Sequence, residues 1–317
     1  MSAAKQYIVE CDHVMLCVER LEDASIAFRR LGFNCEIAAF EGRLGESGRA
    51  MDAHFPFRNG HVKMAGPGGS MNYLEIMEIR SWADAPEQMR FVGDSSGVAS
   101  MVFLVDDEDG FRDAMIADGL PVHPTFRQLG EEAFTASTRA LIPDLSGFRF
   151  FTEYVLCPIV PKYGVAPFMW NAYHIKTDLD QYTAGFMADA SEHANGALEV
   201  TGAIGVTDTP EDDAARMAQM LGATVEANAD GTWSVVHKRF TLQVVDRRNL
   251  SEVFPGIQFN EFLNGSYTAG VSVAVADLEK TRELLAEQGV GHVALDNSLL
   301  VQPSEACGTL LRFHCAP

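Results

Sequence analysis

Histidine is scarce in this 317-residue chain, nine in all, and two of the nine, His54 and His61, bracket the run Phe55-Pro56-Phe57-Arg58-Asn59-Gly60. An imidazole titrates near neutrality, so a histidine aimed into a cleft can move a proton or bind a metal ion. Strand alternation lets His54 share a cleft with His13, whereas His61 reads as a loop or surface residue. His193 and Asn195 read as a turn or a contact between the two halves of the chain. Gly66-Pro67-Gly68-Gly69-Ser70 lacks the lysine and following helix of a phosphate loop, and reads as a connection beside a cleft. The six cysteines are scattered without a Cys-x-x-Cys pair, so neither a zinc ribbon nor a disulfide framework is visible. Cys17 and Cys35 sit in apolar runs and read as core residues.

The elements that must position these groups form a repeat. Each copy opens with an apolar strand, passes through acidic residues into an amphipathic helix, and closes on a glycine. The four opening strands are His13 to Val18, Ser100 to Val105, Ala203 to Val206 and Val271 to Val275, and the closing glycines are Gly32, Gly119, Gly222 and Gly289. Short β-rich segments follow each glycine, giving four β-α-β-β-β modules. One module leaves a sheet face bare, so the expected architecture is α+β, with modules sharing a sheet in two pairs. The expected divisions are 1–156, an ordered connector 157–196 rich in proline and aromatics, and 197–317.

Lys and Arg number 24 against 44 Asp and Glu, a net charge of -20. That disfavours nucleic acid and anionic membranes as partners. No signal sequence or membrane span is visible, which reads as a cytoplasmic protein with a small-molecule substrate.

A β-α-β-β-β module opening Asp12-His13-Val14 and recurring in pairs resembles the vicinal oxygen chelate superfamily, the glyoxalase, bleomycin-resistance and extradiol-dioxygenase group. Asn72-Tyr73-Leu74-Glu75-Ile76, Gly147-Phe148-Arg149-Phe150-Phe151, His193-Ala194-Asn195-Gly196-Ala197-Leu198 and Gly308-Thr309-Leu310-Leu311-Arg312-Phe313 resemble, more narrowly, its glyoxalase-like bacterial members. In metal-using members the ligands come from the first strand of each module, usually His, and from the last, usually Glu. Alignment on the valines that end the opening strands puts His13, Ser100, Thr201 and Gly270 at the first position. Glu75, Phe151 or Glu153, Gln243 and Arg312 fall at the second. An alternative register replaces Glu75 by Lys63.

The resemblance therefore implies a metal site in the N-terminal half, from His13 and Glu75 with Glu153, suited to Zn, Mn, Fe, Co or Ni. His54 is the expected catalytic base. Ser100, Phe55, Phe57, Tyr73, Phe103, Phe148, Phe150 and Phe151 are the expected substrate contacts. The C-terminal half is assigned to structure, homodimer formation or a lid. Three functions stay open: a metal-assisted isomerase or lyase working through an enolate or oxyanion, an extradiol-type dioxygenase, and a metal-free protein that sequesters a small molecule.

Overall fold

The computed structural model describes residues 7–44, 55–79, 96–105, 137–141, 169–174, 192–259 and 267–316, with Ala114 and Ala117. The first half contributes β1 (Ile8–Val18), α1 (Leu21–Arg30), β2 (Glu36–Leu44), β3 (Phe55–Ala65), β4 (Met71–Ile79), β5 (Gly97–Val105), β6 (Ser137–Leu141) and β7 (Met169–His174). The second contributes β8 (Ala197–Thr207), α2 (Pro210–Leu221), β9 (Thr224–Ala227), β10 (Trp233–His237), β11 (Phe240–Asp246), α3 (Leu250–Val253), β12 (Tyr267–Val275), α4 (Leu278–Glu287), β13 (His292–Leu295), β14 (Ser298–Val301) and β15 (Leu310–Cys315).

The strands make a seven-stranded sheet, β2-β3-β4-β1-β5-β7-β6, and an eight-stranded sheet, β13-β14-β15-β12-β8-β11-β10-β9. At the centre of each, two opening strands run antiparallel, β1 with β5 and β8 with β12. Each is flanked by a parallel strand: β4 beside β1, β7 beside β5, β11 beside β8 and β15 beside β12. The segments opening at His13 and Ser100 thus share one sheet. Part of the stretch expected to be a connector is instead sheet: Met169–His174 forms β7. Pro158, Pro161 and Pro167 hide this strand from a sequence reading, because proline cannot donate to a ladder; β7 begins two residues after the last of them.

Helices α1, α2 and α4 bury one stripe each. In α2, Ala214, Met217, Ala218 and Leu221 are buried, the i, i+3, i+4, i+7 spacing of a core-facing helix. The closing glycines fit the helix ends: Gly32, Gly222 and Gly289 have φ of +87°, +59° and +63°, the left-handed region in which glycine carries no Cβ penalty. One hydrophobic cluster joins the halves, with Phe33 packed on Phe313 and Phe103 on Phe240. Cys11, Cys17 and Cys35 are buried, as expected.

Polar contacts lock the same junction. Asn72 donates to the Val200 carbonyl (2.9 Å) and accepts from its N–H (2.8 Å). His193 Nδ1 accepts from the Asn34 N–H and its Nε2 faces the Lys63 carbonyl, both at 2.9 Å. Asn195 donates to the Leu31 carbonyl. His193 and Asn195 are contacts between halves.

Candidate functional site

A β-bulge builds the site. Cys11 pairs with Phe103 and His13 with Val102, leaving Asp12 as the extra residue of β1. A bulge breaks strict alternation and re-aims side chains. Cys11 and Val14 face the shared core, whereas His13 Nδ1 lies 2.7 Å from the Asp12 carboxylate. Both are 2% exposed.

On the neighbouring parallel strand, Tyr73 stands opposite His13 and Glu75 opposite Met15. The Tyr73 ring stacks on the imidazole with centroids 4.5 Å apart. Glu75 brings its carboxylate to 3.3 Å from His13 Nε2, its side chain 14% exposed. The imidazole is thus held between two carboxylates. Burial alone would lower its pKa, but hydrogen bonds to Asp12 and Glu75 and their charges overcome that and raise it to about 9. Further along the same two strands Met15, Cys17 and Met77 are buried.

The strand order places the two candidate positions differently. Glu75 is on β4, the direct neighbour of β1; Lys63 is on β3, one strand further out, and pairs with Glu36 at 3.5 Å. His13, Glu75 and Tyr73 are therefore brought together. Ser100 lies on β5 in register with Met15, and Phe55 and Phe57 lie on β3. Phe103 is completely buried against Phe240 in the core between the sheets, because it pairs with Cys11 on the far side of the bulge from His13. His54, Phe148, Phe150, Phe151 and Glu153 lie outside the described residues. In the ladder of the second module, β5 pairs with β7, where Asn171 stands opposite Val102. Among the described residues, no group of three or more His, Cys, Asp or Glu converges in a way that could hold a metal ion.

Two residues near the site escaped the sequence reading. Asp12 is hidden by the bulge. His61 is a strand residue of β3, opposite Glu75 in register and 5.6 Å from the Tyr73 ring, rather than a loop residue. The alternation of His61 with the buried Val62 and Met64 is the signal that finds it.

The second sheet repeats the geometry with different chemistry. Gly202 pairs with Thr241 and Ser272 as His13 pairs with Tyr73 and Val102. Gly202, rather than the expected Thr201, is thus the counterpart of His13, because Thr201 occupies the bulge. Gln243 is the counterpart of Glu75, so the second half has neither imidazole nor carboxylate at these two positions.

Comparison with known proteins gives a family and a fold. A family model described as a glyoxalase-like domain matches residues 11–221. No curated protein matches the sequence. A hypothetical protein from Staphylococcus aureus has a similar structure, with TM-score 0.59 and 9% identity over 96% of this chain and 99% of that one. A mutant 4-hydroxymandelate synthase from Streptomyces coelicolor is similar with TM-score 0.56 and 13% identity, over 98% of this chain and 94% of that one. A variant homoprotocatechuate 2,3-dioxygenase from B. fuscum has TM-score 0.54 and 11% identity, over 98% and 72%. The family match spans the bulged strand, its parallel neighbour and the junction to the second sheet, so the chain belongs to the glyoxalase-like domain family of the vicinal oxygen chelate superfamily.

Proposed function

We propose that the protein is a vicinal oxygen chelate enzyme that acts on a small oxygenated substrate at the His13–Glu75 site with a divalent metal ion, in isomerase- or lyase-type chemistry. One observation carries the reading: a buried imidazole, tied at Nδ1 to Asp12, presents Nε2 to a carboxylate on the adjacent parallel strand. The donor set fits such an ion. An imidazole nitrogen and a carboxylate oxygen suit Zn, Mn, Fe, Co or Ni, and a carboxylate behind a ligating histidine is its usual second partner.

His13 Nε2 and Glu75 would hold the ion, with Glu153 as the further ligand drawn from the family resemblance. When bound, it supplies Lewis-acid polarisation of a substrate oxygen. Asp12 accepts the Nδ1–H of His13 and so fixes Nε2 as the nitrogen turned to Glu75. Tyr73 covers one face of the imidazole and keeps water from it. A proton step needs a base with pKa near neutrality; β3 offers His61 beside Tyr73, and the sequence assigns His54 just before the strand. Phe55, Phe57 and Ser100 complete the proposed substrate contacts.

The test is competition titration of Zn(II) and Mn(II) against a chromophoric chelator. Wild type should take up one ion per chain, and His13→Ala and Glu75→Ala should each lose it while keeping the wild-type circular dichroism. Uptake that is unchanged in both variants refutes the assignment. A ring-cleaving dioxygenase needs a second histidine ligand where Ser100 stands, so catechol with oxygen uptake should give no turnover.

A further inference from the structure

The second sheet contains a cation of its own. Arg312 on β15, Ser272 on β12, Gly202 on β8 and Thr241 on β11 form one row across four strands. Arg312 donates from Nη1 to Gln243 Oε1 on β11 at 2.7 Å, and from Nε to Ser272 Oγ at 3.1 Å. Adjacent strands are about 4.8 Å apart, so an arginine that bonds a residue three strands away must lie across the sheet. The two residues between are serine and glycine, and at Gly202 a Cβ would run into the Thr241 carbonyl oxygen, so only glycine fits that row. The guanidinium therefore lies over the counterpart of the His13–Glu75 site.

Its charge is uncompensated by direct pairing among the described residues. Arg312 makes no ion pair with any described residue, in a chain with 44 Asp and Glu. Asp230, whose charge acts on it from a distance, is engaged by the N–H and hydroxyl of Thr232. Two of the five N–H donors of the guanidinium are used, and both N–H groups of Nη2 and one of Nη1 have no acceptor among the described residues. Burial lowers its pKa, the cost of holding a cation without a counter-charge. Thr201 and His314, which bond to each other at 2.6 Å, add polar groups on the same strands.

We infer that the second half binds a small oxyanion, carboxylate or phosphate, on the Arg312 guanidinium, with Gln243 and Ser272 holding the fork in place. A half-buried guanidinium with paired free N–H groups matches the planar geometry of a carboxylate and the edge of a phosphate. The site is independent of the metal reading of the first half.

The test is isothermal titration of the full chain at low ionic strength, with sodium acetate in one arm and inorganic phosphate in the other. At least one should bind saturably, with Kd of about 1 mM or tighter, and the stronger arm identifies the class. Arg312→Met should weaken binding about tenfold or more, whereas His13→Ala should leave it unchanged. Should Arg312→Met fail to fold, the side-chain Nε–H resonance of Arg312 in the wild type should shift with the titration. Saturation by neither ion, undiminished binding in Arg312→Met, an unmoved resonance, or loss of binding in His13→Ala would overturn the proposal.

Discussion

Removing the Asp12 carboxylate tests whether the bulge exists to aim His13. Asp12 and His13 are each 2% exposed and lie 2.7 Å apart, so no water can replace the lost acceptor at equal cost. A hydrogen bond to a charged group in such surroundings is worth about 1.5–3 kcal/mol. Loss of the carboxylate partner of a ligating histidine costs roughly 10–100-fold in metal affinity, which at about 1.4 kcal/mol per tenfold is the same range. Asp12→Asn keeps an oxygen that can accept the Nδ1–H and loses only the charge, so its Zn(II) affinity should fall about tenfold; Asp12→Ala should lose nearer 100-fold. The assay is chelator competition, run beside a thermal melt of the metal-free protein. A 15N spectrum of the imidazole gives a second readout, because the Nδ1–H resonance should move in both variants even without metal. If Asp12→Ala melts lower yet binds Zn(II) within about twofold of wild type, Asp12 serves the fold alone and the aiming argument fails.

Two further outcomes follow from the junction between the halves. Asn72→Ala removes both bonds to Val200 and leaves a buried N–H and carbonyl unpaired, so urea denaturation should show a loss of about 2–4 kcal/mol; less than about 0.5 kcal/mol would show that the sheets hold together without this contact. His193 is bonded as the neutral ring, and burial lowers its pKa. Its folded pKa therefore lies below the unfolded value of about 6.5, and stability present above that value should be lost as pH falls through and below it. The melting temperature should drop between about pH 7.5 and pH 5.5, with a shallower drop in His193→Gln; equal slopes would remove His193 as the cause.

The residues show how far the sequence carries. The helix ends were legible because Gly32, Gly222 and Gly289 each occupy the left-handed position that closes a helix. Glu75 and His13 were legible through the family resemblance, and the parallel pairing of β1 with β4 brings them together. His61, next to Asn59-Gly60, reads from the sequence as a loop or surface residue. In the fold Gly60 lies inside β3, where a Cβ would come within 2.9 Å of the Glu36 carbonyl. The glycine permits a close approach of strands instead of a turn.

The bulge accounts for the deeper misreading, because strict alternation assigns neighbouring residues to opposite faces, and one inserted residue cancels that rule locally. At Asp12 it puts a carboxylate behind the imidazole. At Thr201 the same insertion moves the equivalent position on to Gly202, in the row of residues that Arg312 crosses to reach Gln243. A single backbone irregularity, present in both halves and invisible to residue counting, thus underlies an imidazole between two carboxylates in one sheet and, in the other, a guanidinium that forms no ion pair among the described residues. The same geometry supports a proposed site for a metal cation in the first half and for an oxyanion in the second.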